Sequence, residues 1–291
     1  MLVIAGATGH VGSVAAGRLL AERKPVRVIV RDSARGARWA ARGAHVAVAD
    51  LRDAQSLAGP LRGATGFFVL LPPDYGAADL FAAQRRVAEA VTAAVRASEV
   101  PHVVLLSSVG ADLPEGTGPI KGLHYFEECL RSTGVSLTAL RASYFQENAA
   151  EALLLAQSAG IFPNFGDRDD VAFPMIATRD IGDEVAKCLS RPPQASEVVD
   201  LVGPDYTQRD VAKALGDALG KPLRVVNIPQ PQWVPALLQA GLGQSAAEAL
   251  AEMYDAAAEG LLVPRGDRLV RATTPLHETI RPITDPLDPE P

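Results

Sequence analysis

The chain has little of several things, and each shortage narrows what it can be. Only two of its 291 residues are cysteine, Cys129 and Cys188. They form no disulfide framework and no metal-ligand spacing, and no metal is expected. Both fall in apolar helical patterns, the pattern of buried thiols in a reducing compartment. There is no positive excess: the net charge is −6, which argues against a general nucleic-acid surface. Lysine is scarce, confined to Lys24, Lys121, Lys187, Lys213 and Lys221, so arginine carries most of the basic charge. No apolar run approaches the roughly 18 residues of a membrane span. The opening MLVIAGATG has no basic leader and reaches glycine too early for a signal peptide. A soluble cytoplasmic protein is expected, with no internal repeat.

What is present is alternation. Short β-branched runs are predicted as strands over 2–5, 26–30, 45–48, 66–71, 102–106, 136–140 and 198–202. Helical patterns lie between and after them, over 11–23, 34–42, 54–61, 77–98, 120–132, 145–159 and 181–190. Strands that read as unbroken apolar runs are buried on both faces. The expected fold is therefore α/β, a doubly wound parallel-sheet Rossmann domain. After Gly203 the pattern changes. Thr207 and Gly220 bracket a capped amphipathic helix, a short strand follows over 223–227, and two more helical stretches come next. This predicts a small α+β C-terminal substrate lobe over 204–291 beside a nucleotide-binding domain over 1–203, with 145–175 contributing to the cleft between them. The tail DPLDPEP reads as frayed.

The first strand runs into three glycines spaced three apart, Gly6, Gly9 and Gly12. The first permits a sharp turn, the second lets backbone approach a pyrophosphate, and the third brings the helix close to the sheet. The N–H groups and positive dipole end at Gly9, His10, Val11 and Gly12 then face the phosphates, and Thr8 can add a hydroxyl. A nicotinamide dinucleotide is the expected ligand. Arg31 is the first residue past the second strand and can grip a 2′-phosphate, with Arg35 and Arg38 nearby. This favours NADPH. In the other reading Arg31 is a solvated charge and Asp32 takes the ribose of NAD. The remaining strand ends place Asp50, Leu51, Leu71, Pro72, Ser107 and Tyr144 along the sheet's carboxyl edge. Asp50 can accept from adenine or cap a helix. Pro72 can wall the second ribose or simply turn the chain.

GATGHVG, VRVIVRD, VADLRD, VVLLSSVGA, TALRASYFQEN and TRDIGDEVAKCL together resemble the NmrA-like group of atypical short-chain dehydrogenases/reductases. The likeness runs to about residue 282 and is nearest to its bacterial NADPH-dependent quinone oxidoreductases. The resemblance singles out His124, Glu128, Thr138, Leu140, Arg141, Glu147 and Asn148. The chain departs from standard reductases of the superfamily in having no Tyr-x-x-x-Lys. Lys121 and Tyr125 occur in reverse order, with His124 between them. His124 can donate a proton, hold substrate, or do neither; Lys121 can touch the nicotinamide ribose. Tyr144, Phe145, Asn148, Phe162, Phe165 and Trp233 are candidates to line an acceptor pocket. A quinone or activated enone needs little help from a general acid, so the missing pair is tolerable for that chemistry. The alternatives are a redox sensor that binds the dinucleotide without turnover, or a biosynthetic tailoring reductase. Pairing of two copies is left open.

Overall fold

The computed structural model describes residues 1–284, so the DPLDPEP tail lies outside the described residues. In chain order the elements begin β1 (Leu2–Ile4), α1 (His10–Ala21), β2 (Val26–Val30), α2 (Ala37–Ala41), β3 (His45–Val48), α3 (Ala54–Leu61), β4 (Gly66–Leu70) and α4 (Leu80–Ser98). They continue with β5 (His102–Ser108), α5 (Ile120–Arg131), β6 (Ser136–Ala142), β7 (Tyr144–Phe145), α6 (Leu153–Ala159), β8 (Ile161–Asn164), β9 (Phe173–Ile176), α7 (Thr178–Ser190) and β10 (Glu197–Val202). The C-terminal part adds β11 (Asp205–Tyr206), α8 (Gln208–Leu219), β12 (Arg224–Asn227), α9 (Trp233–Gln239), α10 (Gln244–Ala258), β13 (Arg268–Arg271) and α11 (Leu276–Thr284).

Eight strands form one sheet in the order β13-β10-β6-β5-β4-β1-β2-β3. Every neighbouring pair in it is parallel. The strand order reverses between β1 and β4. In a doubly wound sheet this is the point where a crevice opens at the carboxyl edge. The period of two along each strand separates two cores. Ile4, Val28, Phe68, Val104, Leu140 and Val199 pack with α1 and α7 on one face. Val3, Ile29, Phe67, Val69, Leu105 and Leu137 pack with α3, α4 and α5 on the other. A third core joins Ala152, Ala156, Phe162 and Met175 to Val211, Leu215, Leu276 and Ile280. The C-terminal lobe is thus built on residues from both sides of Gly203, and β13 crosses back into the large sheet.

The predicted strands and helices are found, with instructive exceptions. The stretch 145–159 is not one helix: β7 leads into a 3₁₀ segment at Gln146–Ala152, and only then into α6. Side chains compete with the helical pattern here. The buried Gln146 amide donates to the carbonyls of Met175 and Thr274, and its Oε1 accepts from Thr279. Helix α4 starts at Leu80 rather than 77, because the Asp79 carboxylate caps it by accepting from the Ala82 N–H. The predicted cap at Thr207 is a capping box with Asp210, and Gly220 closes α8 in the left-handed conformation. Sequence patterning missed β8, β9, β11 and β13, which are two to four residues long and carry no sustained alternation.

Candidate active site

Gly6 ends β1 with φ 68, and the chain turns into α1. A Cβ on Gly12 would lie 2.3 Å from the Gly6 carbonyl oxygen, so the fold itself demands glycine there. Gly9 differs. Its φ of −109 suits any residue, and a Cβ would meet nothing closer than 3.6 Å. Nothing inside the protein requires glycine at position 9, yet Thr8 and Gly9 form the exposed tip of the turn. Helix α1 has no side-chain cap and no acidic residue in its first turn. The Gly9 N–H, expected to face the phosphates, turns back to Gly6 O at 2.9 Å, and within α1 the first N–H bonded back along the chain is that of Ser13, on Gly9 O at 3.0 Å. Val11 and Gly12 N–H have no acceptor among the described residues, and the Val11 side chain lies in the core. An uncapped, glycine-tipped helix end fits an anionic ligand that approaches the backbone closely.

Arg31 follows β2, is exposed, and makes no hydrogen bond or ion pair among the described residues. The Asp32 carboxylate accepts from the Ala34 N–H at 2.9 Å and caps a 3₁₀ turn. Arg38 Nη2 and Trp39 Nε1 both donate to the carbonyl of Ala7, tying this basic corner to the glycine turn. Asp50 is engaged by its neighbour: Arg52 Nη2 lies 2.6 Å from Oδ2, and this contact holds the Asp50 carboxyl below its usual range. Leu51 and Leu71 pack half-buried on the second core, and Pro72 is exposed.

The β5–α5 side holds a buried ionic network. Glu127 is inaccessible to solvent. Its Oε1 accepts from Ser107 Oγ at 2.6 Å and Arg141 Nε at 3.0 Å. Its Oε2 accepts from Arg141 Nη2 and Arg131 Nη2, both at 2.7 Å. Ser107, expected along the cofactor edge, donates its hydroxyl proton to Glu127, and its oxygen lone pairs can still accept. Glu128, which the family resemblance singled out, is a surface residue paired with Arg131, and Glu127 beside it is the buried one. The face spacing Ile120–Leu123–Glu127–Leu130 was the signal that could have found it.

The three residues proposed for chemistry on α5 point to different neighbours. His124 Nδ1 lies 2.9 Å from the carbonyl of Ala111. A carbonyl only accepts, so Nδ1 donates in this contact. The Lys121 ammonium sits over the Phe81 ring at 5.4 Å. Tyr125 donates to Glu89 at 2.8 Å under the Arg85 guanidinium, on the α4 side. That hydrogen bond pushes its phenol up to about 12. The Tyr125 hydroxyl, expected as a candidate for chemistry, is thus engaged by Glu89.

The predicted pocket residues also separate. Phe162 is buried in the third core, because β8 turns Phe162 and Asn164 inward together; it lines no cleft. Phe145 packs half-buried against the first core. Tyr144 stays open at 38% exposure, edge-on to Phe173 at 5.7 Å. Phe165 stacks on Tyr254 at 5.0 Å, and Trp233 meets the same ring edge-on at 5.7 Å. The Trp233 N–H is anchored on the Ile228 carbonyl. Sequence reading missed Tyr254, whose ring joins Phe165 and Trp233. The Glu147 carboxylate accepts from the N–H and hydroxyl of Thr178 at the start of α7, and burial raises its pKa. A separate open groove of about 540 Å³, lined by Tyr206, Lys213, Asp217 and Arg281, lies between α8 and α11 rather than at the sheet edge.

A doubly wound sheet with a glycine-tipped, uncapped helix at its switch point defines a dinucleotide-binding α/β protein. Residues 1–264 match the NmrA-like family, and the chain belongs to it. An NAD(P)H azoreductase of Xenophilus azovorans is 29% identical over 260 residues, covering 87% of this chain and 86% of the relative. Quinone oxidoreductase 2 of Escherichia coli strain K12 is 27% identical over 291 residues, covering 96% and 97%. Among solved structures, an NADPH-dependent quinone oxidoreductase of Escherichia coli complexed with NADPH superposes with a TM-score of 0.80. It is 24% identical, covering 98% of this chain and 100% of that one. Among the described residues no helix is long and apolar enough to cross a membrane.

Proposed function

We propose that the chain is an NAD(P)H-dependent oxidoreductase that prefers NADPH and reduces small flat acceptors, with quinones as the type substrate. The observation that carries this reading is Gly9, a glycine at an exposed, uncapped helix start where no internal contact or strained angle calls for one. The relatives' names, an azoreductase and a quinone oxidoreductase, support the same class of chemistry. Val11 and Gly12 N–H would hold the pyrophosphate, and Arg31 the 2′-phosphate. Asp32 favours the phosphorylated cofactor by being tied to Ala34, which leaves Arg31 as the open charge at the ribose end of β2. Bound NADPH supplies a hydride. Tyr144, Phe165 and Trp233 supply an apolar wall against which a planar ring can lie. The protein does not need to offer a strong acid, because a hydroquinone anion is weakly basic and takes its proton from water.

The test is a titration of NADPH and NADH into the protein, followed by NADPH absorbance over a panel of quinones and enones. Tight NADPH binding with consumption by quinones is expected. Binding without consumption by any acceptor would give the chain to the sensor reading. No binding of either nucleotide would end both.

A further inference from the structure

The glycine turn keeps its carbonyls to itself. Gly6 O accepts from the Gly9 N–H at 2.9 Å. Ala7 O, one peptide further, accepts from two side chains of the short helix α2: Trp39 Nε1 at 3.1 Å and Arg38 Nη2 at 3.3 Å. The two donors differ in kind. Arg38 is an exposed, long side chain. Trp39 is fully buried and packs in the first core with Ala7, Val11 and Ala15. The Arg42 guanidinium covers the Trp39 ring at 4.9 Å, and sits so near α1 that a Cβ on Gly17 would lie 3.2 Å from its Nη2. The indole is thus held in place from the core side and from α1, and its N–H has one fixed direction.

A second observation comes from the same peptide. A trans peptide carries its C=O and its N–H on opposite sides. With Ala7 O drawn inward to Trp39, the Thr8 N–H is turned outward, to the exposed tip of the turn, and it has no acceptor among the described residues. An anion needs N–H groups within reach and carbonyl dipoles out of reach. Packing at position 39 asks only for a large apolar ring; the nitrogen is asked for by the turn.

We propose that Trp39 is a positioning residue for the dinucleotide: its indole N–H holds the Ala7 carbonyl away from the phosphates and keeps the Thr8 N–H turned toward them. This rests on the reading that the turn holds a pyrophosphate. It adds a division of labour within one corner of the molecule. Arg31, just past β2, meets the 2′-phosphate and separates NADPH from NADH. Trp39 acts through the turn, on the pyrophosphate that both nucleotides share, and so serves them alike.

The test removes the N–H and keeps the ring. In the full chain Trp39 is replaced by 3-benzothienylalanine, which has sulfur in place of the indole N–H, and separately by Phe (Trp39→Phe). NADPH and NADH are titrated into each by nucleotide fluorescence, and thermal melts are recorded. The benzothienyl protein should melt close to the wild type, because Arg38 still donates to the carbonyl. It should bind both nucleotides about tenfold more weakly, with the ratio of the two affinities unchanged within about twofold. Trp39→Phe should show the same loss with a lower melting temperature, since it also leaves a gap in the core. Unchanged affinity in the benzothienyl protein would overturn the proposal. So would a loss confined to NADPH, which would mean that the Arg31 corner had moved, or a failure to fold, which would make the bond a structural one. Wild-type protein that binds neither nucleotide would overturn the reading of the site itself; wild type that binds both, with variants that bind as well, would overturn only the role of Trp39.

Discussion

Two glutamates mark two regions of this molecule. Around Glu127 the carboxylate is buried and every lone pair is answered: Ser107, Arg131 and Arg141 hold it from three elements, and Asp112 and Arg265 extend the network. Around Glu151 the carboxylate reaches water and has no protein partner among the described residues. Burial and charge alone therefore do not mark a working group. The satisfied carboxylate locks β5, α5 and β6 together below the sheet edge, and the exposed one is left to water.

Mutations can break or sharpen this contrast. Glu127→Ala should cost the most, about 3–5 kcal/mol in urea unfolding, because it strands Arg141 without its counter-charge. Glu151→Ala in the same assay should stay within about 0.5 kcal/mol of the wild type. The glycine turn offers a parallel pair. Gly12→Ala should lose about 1–3 kcal/mol of stability, since its Cβ collides with backbone. Gly9→Ala should keep stability within about 0.5 kcal/mol while weakening NADPH about tenfold, read by cofactor titration. Arg31→Ala should lower the ratio of NADPH to NADH affinity about tenfold, a charged hydrogen bond's worth. The smallest effect concerns pH. The fold raises the Glu151 pKa, so above the unfolded value the unfolded chain ionises first and stability falls as pH rises toward the folded value. Glu151→Gln removes that loss. Its stability relative to wild type should rise with pH across this window, by less than about 1 kcal/mol after solvent screening, and the two should converge in acid. A thermal-melt series against pH reads the sign.

The sheet and the glycine turn were legible because their signals are local. One strand, three glycines and one helix occupy a dozen consecutive residues, and Arg31 follows from the end of the next strand. The proposed acceptor wall was legible only in part, because Tyr254, which meets Phe165 and Trp233, comes from a distant segment and no spacing in the chain links them. Phe162 was misplaced because β8 was not recognised, so the side its ring faces could not be assigned. The bond from Ser107 to Glu127 was hidden for a similar reason: whether a hydroxyl at a strand end meets a buried carboxylate depends on which face of α5 packs over it. Even Glu127 and Glu128, adjacent in the chain, went to opposite environments because successive helix positions are about 100° apart.

The large sheet finishes with a strand that the chain supplies late. β13, with the sequence RLVR, pairs with β10 only after the whole lobe has been made, and it lies beyond residue 264, where the family match ends. It is the last strand on that side of the sheet, and both of its ends are arginines: Arg268 joins Glu184 and Glu197, while Arg271 is left to solvent. A chain cut short after residue 264 would lay bare the amide row of β10, an apolar template on which further copies could stack. In the described structure β13 covers that row and puts an arginine at each end of the new edge.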